Sequence, residues 1–572
     1  MNLQNEQQAL KSRWLRWLIY LLVISASSVA AGYRILHVNL LDQGTRERLK
    51  SEGKPYWEGS PLLSANDRSR WCTIRALGDG NRYEIDGIIA NPDNPGEFDL
   101  ADPRKRNRFW ATIDLVKHPD QQGEMHYYSS KPTLLPTLLA YLYRGVRLVT
   151  GKDLENHPFE VVRILLILVN VVPMALFLVL MAAVFETLAQ DSYTRIILLV
   201  GASLGTYLTP FSITLNNHLP AAFSVGVVLF ALVHILKNRN AWSIHFFVAG
   251  VFSAFAAANE LPALSFFCWV GLILLVTNFF RTLLFFVPGA VLVIAGFFVT
   301  NYNAHHDWIP PYAHRDDGEV VGRLDDGLYQ AVEKKEVTPE LAAAINQHAE
   351  KVGFYVSAGS ATIHAGQTPV GKSVESRFVL TQTNDSQRLA IVRQKSGIIE
   401  IRKWDNWYEY PESFWLIGRK GGVDRGEARP EIYAFHCLVG HHGIFSLTPL
   451  WILSLGGLPL MSRHPYRRFG WIGLMTLVVS VVVVAFYLSR PLEDRNYGGG
   501  TSALRWLLWM APLWLVAAIP MVDLLSKSIW GKIFVAILAV ASIASAHYSA
   551  MNPWVHPWLY ELLVQMEWIQ PF

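Results

Sequence analysis

Cysteine is scarce in this chain of 572 residues: Cys72, Cys268 and Cys437 are the whole set, and none stands in a CxxC pair. That argues against a zinc ribbon or a thiol redox motif. A Cys72–Cys437 bridge stays open, because pairing cannot be read from sequence. No HExxH occurs, and the run Gly498–Gly500 lacks the GK[ST] ending of a phosphate loop, so neither a zinc hydrolase nor a nucleotide cradle is indicated. A net charge of only +4, with no basic run interleaved with stacking aromatics, argues against a nucleic-acid partner. Internal repeats, Gly/Ser linkers and low-complexity blocks are missing too. Charge as a whole is thin: 17% of residues are charged and 51% hydrophobic, too apolar for an ordinary soluble protein.

Long apolar runs are what the chain has instead. Residues 14–36, with Lys11, Arg13 and Arg16 at their start, form a first membrane span with a basic cytoplasmic flank. A cleaved signal peptide is the alternative, since SSVAAG places small residues near the end of that run. Residues 37–156 are rich in Arg, Asp, Trp and Tyr and read as an external loop. Within it, Leu134–Val149 is apolar but interrupted by Pro136, Arg144 and Arg147, the pattern of a helix lying at the interface. Six spans follow within 157–302, near 158–188, 195–216, 219–236, 241–258, 261–279 and 282–302. A polar external insertion occupies 303–440. Four more spans lie within 441–550, near 443–461, 469–489, 504–525 and 530–550, and an aromatic tail occupies 551–572.

This predicts an all-α polytopic membrane protein of about eleven transmembrane helices with a small α+β external insertion. Arg195, Lys237 with Arg239, Arg281, Arg463 with Arg467 and Arg468, and Lys527 with Lys532 then fall on the cytoplasmic side. In the insertion, Thr338–Lys351 reads as a capped helix, and SRFVLTQT and GIIEIRKW alternate as strands do.

With that topology, the polar residues that are hardest to explain structurally share the outer side: Asp67, Lys131, Asn217, His218, Glu260, His441, His442, Asp494, Arg495 and Arg505. Ionisable groups at the membrane surface are expensive and tend to face a working cavity. Asp67 follows Ser64 and Asn66, either of which can cap a helix through WCTIRAL, and a first-turn carboxylate is favoured as the anion. It reads as a base or a metal ligand, or simply as part of the cap or a partner of Arg70. Lys131 precedes a proline and an apolar helix, where its ammonium meets a lipid phosphate or snorkels. Asn217 and His218 sit in a tight turn closed by Pro220. Glu260, flanked by Ala and Leu, needs a partner unless its turn is solvated. His305, His306 and Asp307, with His436, His441 and His442, supply plausible metal ligands on the same outer face, without HExxH spacing, or are simply surface or interfacial histidines.

The order of these segments resembles the C-type glycosyltransferase superfamily, multi-span enzymes that include protein O-mannosyltransferases and the aminoarabinose and lipopolysaccharide-core sugar transferases. Asp67 in NDRSRW matches the acidic position of the family's first external loop, and KPTL (Lys131–Leu134) its KPPL-like segment. NNHLPAA, HHGIFSLTPLW and NYGGGTSALRW resemble later outer segments of bacterial members. Arg68 stands where the usual acidic pair would have its second member, Thr133 replaces the second proline of KPPL, and GPRY has become ALRW.

The resemblance implies transfer of a sugar from a polyprenyl-phosphate carrier to a glycan, lipid or protein acceptor at the outer face of the inner membrane, by an inverting displacement. It implies Asp67 as catalytic base, Lys131, Arg505 and Arg495 as donor-phosphate cations, and Asn217, His218, Glu260 and His442 as orienting groups. No cofactor is fixed by it, and a divalent cation, Mg or Mn, is open. A transporter of a lipid-linked or polar solute is the reading from a different class. It would place ionisable groups near the midplane, with internal symmetry.

Overall fold

Each apolar run becomes a helix, and some of these helices stop short. The structure is a computed structural model that describes residues 2–572 apart from 42, 55–58, 94–97, 103, 239–240, 369–372, 384–386 and 417. Arg239, counted above among the cytoplasmic charges, lies outside the described residues. Among the described residues, seven helices are long and apolar enough to cross a membrane: Arg13–His37, Pro158–Leu188, His218–Lys237, Phe279–His305, Tyr466–Leu488, Arg505–Leu525 and Ile529–Tyr548. Shorter apolar helices, Ser192–Leu204, Ser243–Asn259, Leu261–Thr277 and Pro449–Ser462, occupy the other four runs. They are short for a local reason. Gly205 ends one, extended backbone at Glu260 before Pro262 ends another, and Pro449 starts a third afresh.

The chain divides into two compact units, one made of Met1–Asp67, Tyr141–Phe297 and Gly421–Phe572, the other of Arg68–Ala140 and Phe298–Lys420. The first unit is a helical body whose core is almost wholly aliphatic and aromatic. Its first helix is tied in by charge: Arg16 donates to both Glu186 oxygens at 2.7 and 3.0 Å, and the Tyr20 hydroxyl donates to the same carboxylate at 2.7 Å.

Two helices of this unit cross on bare backbone. A Cβ on Gly250 would lie 2.1 Å from the Phe286 carbonyl oxygen, and one on Gly289 would lie 2.5 Å from that of Phe247. Small residues at such crossings let membrane helices pack by close van der Waals contact. Gly250→Leu is therefore expected to push apart the helices Ser243–Asn259 and Phe279–His305. The loss should appear as a reduced yield of monodisperse protein in detergent and a lowered melting temperature, whereas Gly32→Ala, with open space around it, should change neither.

The second unit holds the soluble structure. Strands β1 (Leu115–Pro119) and β2 (Met125–Ser129) form an antiparallel hairpin. Strands β3 (Val320–Leu324), β4 (Ala361–Ala365), β5 (Val374–Gln382), β6 (Arg388–Gln394) and β7 (Ile399–Lys403) form an antiparallel sheet in the order β3-β7-β6-β5-β4. The two strand-like segments read from the sequence are β5 and β7. The capped helix runs Pro339–Ala349, with the Thr338 hydroxyl accepting from Leu341 N–H at 3.2 Å, and packs Leu341 and Ile345 into the sheet's core. Buried Arg377 is held by Asp317 and Glu409 at 2.6 and 2.7 Å, so its charge is compensated twice. The first loop and the insertion build this unit together: Lys117 N–H donates to Trp407 O, Trp415 Nε1 to Ile113 O, and Thr133 Oγ1 to Thr300 Oγ1. No disulfide joins Cys72, Cys268 or Cys437, so the Cys72–Cys437 pair left open above is not formed.

Candidate active site

Asp67 sits in the first turn of the helix Ala65–Gly80. Its N–H donates to Ser64 Oγ at 3.1 Å, and its Oδ1 accepts from Ser64 N–H at 3.0 Å, the reciprocal arrangement of a capping box. The cap reading is thus literally present. Two further bonds go beyond it. Oδ2 accepts from Leu63 N–H at 3.0 Å and from the Thr214 hydroxyl at 2.7 Å. Ser64 Oγ also approaches Oδ1, but only at 3.4 Å. Every one of these partners donates, so Asp67, 1% exposed, is held as an acceptor.

Thr214 is placed by two asparagines. Asn170, inside a π-helical turn at Ile167–Val171, donates to Ser212 O and Thr214 O at 2.9 Å each. Asn216 donates to Phe211 O and Thr214 O and accepts from Leu219 N–H at 2.9 Å, which caps the helix His218–Lys237. A π turn inside a helix frequently marks a functional site, because its extra residue re-aims a side chain. Here that side chain is Asn170, and it fixes the Thr214 carbonyl.

Capping by Asn216 leaves the next two side chains to face Glu260. The Asn217 amide donates to Glu260 Oε1 at 2.7 Å and to Asn259 O at 3.1 Å, and His218 Nδ1 makes a very short contact with the same Oε1. Glu260 is buried, so the solvated-turn alternative does not hold. On the other side of the ring, Arg505 Nη1 lies 3.3 Å from His218 Nε2. A guanidinium only donates, which assigns the lone pair to Nε2 and the proton to Nδ1, pointing at the carboxylate.

Arg505 is fixed in turn by the glycine run. Its Nε donates to Gly498 O at 2.6 Å, and Gly498 has φ +94°, with a would-be Cβ 3.1 Å from Arg505 Cγ. Glycine here serves a positive φ and a close approach. The guanidinium also lies over the Trp554 ring at 5.3 Å, and Trp554 Nε1 donates to Thr214 Oγ1 at 3.2 Å. The contacts run from Asp67 through Thr214 and Trp554 to Arg505, and on through His218 to Glu260 and Asn217.

Five of the sequence candidates therefore meet in one network: Asp67, Asn217, His218, Glu260 and Arg505. Three do not join it by any described contact. Arg495 donates to Arg490 O at 2.9 Å and to Ala428 O at 3.2 Å, clipping loop carbonyls. His442 lies in a separate cluster with His441, Tyr497 and His556; burial holds its imidazole well below the ordinary range. Lys131, in the second unit, pairs with Asp114 at 3.0 Å. Sequence reasoning missed Asn170, Thr214, Asn216 and Trp554. The aromatic density of the tail was the one signal that pointed toward Trp554.

Among the described residues, no group of three His, Cys, Asp or Glu side chains is placed to hold a metal ion.

No family profile matches the chain, and no curated protein does. Among solved structures it is similar to the Saccharomyces cerevisiae protein O-mannosyltransferase Pmt1-Pmt2 complex bound to the sugar donor, at 11% identity and a TM-score of 0.44, over 96% of this chain and 92% of that one. It is also similar to the Archaeoglobus fulgidus oligosaccharyltransferase in the apo form, at 12% identity and a TM-score of 0.39, over 96% of this chain and 58% of that one. The archaeal oligosaccharyltransferase AglB in complex with an inhibitory peptide and a dolichol-phosphate gives 12% and 0.39, over 98% and 59%.

Proposed function

We propose that this multi-pass membrane protein is a glycosyltransferase that moves a sugar from a polyprenyl-phosphate carrier to an acceptor hydroxyl at the outer face of the inner membrane, with its N-terminus cytoplasmic and its C-terminus external. The observation that supports it most is the joining of a buried carboxylate, Asp67, to a fixed guanidinium, Arg505, through Thr214 and Trp554. An inverting displacement needs both. The acceptor oxygen forms its bond to the anomeric carbon while the bond from that carbon to the phosphate oxygen breaks. The hydroxyl proton goes to Asp67, taking the place of the weak Ser64 Oγ contact, and the electron pair leaves on the lipid phosphate.

Arg505 neutralises that growing charge, and its orientation is set in advance by Gly498 O and His218, so little reorganisation is needed at the moment of reaction. Glu260 and Asn217 act one step back, by holding the His218 ring. Lys131 remains a candidate for the donor phosphate on its KPTL motif. The acceptor is a glycan, lipid or protein hydroxyl. Against a transporter stands the missing internal repeat, since many transporter folds are built from paired, structurally related halves.

The test is reconstitution of the purified protein in lipid with candidate polyprenyl-phosphate sugars and acceptors, following release of the free carrier lipid. Release that depends on acceptor is the expected result, and repeating it with a chelator decides whether a divalent cation takes part. Movement of intact donor across the bilayer without release would instead make the protein a transporter.

A further inference from the structure

Glu260 uses only one of its two oxygens to hold its neighbours. Asn217 and His218 both meet Oε1, and among the described residues nothing donates to Oε2. Glu260 is 5% exposed, and Oε2 is not one of the sealed, unpartnered polar atoms, as the Tyr497 hydroxyl is. Buried polar atoms are nearly always hydrogen-bonded, so a carboxylate oxygen that is neither paired nor sealed is open to a donor from outside the chain.

One side chain near Glu260 shares this property. Tyr487 lies at the end of the helix Gly470–Leu488, and the turn Leu261–Ala263, which directly follows Glu260, packs against that helix. The Tyr487 ring is stacked on Trp506 at 4.7 Å, with 8° between the planes, so the residue next to Arg505 fixes its orientation. The charges that bear on the Tyr487 hydroxyl are those of Glu260, Arg505 and Arg490, and Arg490 is paired with Asp494. Among the described residues that hydroxyl makes no hydrogen bond, and it too is not sealed.

Together the two groups select a chemistry. Glu260 Oε2 only accepts, whereas a phenol hydroxyl both donates and accepts. An ionised phosphate has no proton to give and is repelled by a carboxylate, so the phosphate end of a donor does not suit Oε2. A prenyl chain brings no polar group at all. Sugar hydroxyls donate to Oε2 and bond in either direction with Tyr487. In the transfer reading the sugar is joined directly to the phosphate that Arg505 faces, which brings its hydroxyls to this side of the network.

We propose that Tyr487 is a sugar-contacting residue, its hydroxyl and Glu260 Oε2 together taking hydroxyls of the sugar that the donor carries. The proposal rests on the transfer reading and assigns the end of the donor that Asp67 and Arg505 leave unassigned.

The experiment is equilibrium binding to the full-length protein in lipid nanodiscs, without acceptor, of a prenyl phosphate and of its mannosyl, glucosyl and arabinosyl esters. The wild type is expected to bind at least one ester about tenfold more tightly than the bare prenyl phosphate, the scale of one or two added hydrogen bonds. Tyr487→Phe keeps the ring on Trp506 and removes the hydroxyl. It should reduce that preference about three- to tenfold and leave binding of the bare prenyl phosphate unchanged. No preference in the wild type, or the same preference in Tyr487→Phe, overturns the proposal. Either result, obtained while the wild type still releases carrier in the transfer assay, would leave the transfer reading standing; no binding of any of the four lipids together with no carrier release would remove both.

Discussion

Asp67→Glu is expected to leave the protein folded and inserted while lowering sugar transfer by about 10²–10⁴-fold, the range of a lost general base. The choice of glutamate matters, because Asp67 has two roles in the structure. It completes a capping box with Ser64, and glutamate is the favoured residue at that position of such a box. If capping were its whole role, the longer acid would be silent. As a base it must place its oxygen beside the Thr214 hydroxyl, and an added methylene moves the carboxylate away from it. Asp67→Asn should lose transfer to a similar degree. Melting temperature and detergent yield, measured beside the rate of carrier release, separate the two roles. Full transfer in Asp67→Glu would reduce Asp67 to a structural residue.

Arg505→Lys should lower turnover by about 10²–10³-fold, the usual loss when one preset donor to a developing anion is removed. Charge survives in this variant, so the loss would come from geometry. Arg505 reaches Gly498 O with Nε and His218 with Nη1 while covering the Trp554 ring, and a single ammonium cannot reproduce that fork. Arg505→Ala should be as slow or slower, and added guanidinium ion should restore part of the rate. Donor binding measured alongside distinguishes a transition-state role, in which the rate falls at unchanged affinity, from a ground-state one. A rate within twofold of wild type in both variants would remove Arg505 from the mechanism.

Hydropathy carried the helices, because an apolar run of sufficient length has few other homes, and it carried the sheet through the alternation in β5 and β7. What it could not carry was the union of 68–140 with 298–420, which rests on contacts such as that of Trp415 with Ile113 across hundreds of residues and leaves no periodic trace. For the site, Glu260 was legible because a carboxylate among Ala and Leu is expensive without partners, and the structure supplies Asn217 and His218. Thr214 and Asn170 were not, since one hydroxyl or amide in an apolar stretch raises no such alarm. Arg495 and His442 were grouped with the network by expected sidedness, and their described contacts lie elsewhere. Sidedness orders residues along the membrane normal and says nothing of their separation within the plane.

The hydrogen bond from Trp554 to Thr214 spans 340 residues of chain. During synthesis at about 5–20 residues per second, roughly 17–70 s would separate the appearance of its two partners. For that interval, Asp67 and Thr214 can already be in the bilayer while the tryptophan that shields Arg505 is still unmade. The network around Thr214 therefore closes only after the last apolar helix, Ile529–Tyr548, has been made, and a chain cut short before Trp554 would leave the Thr214 hydroxyl without that donor.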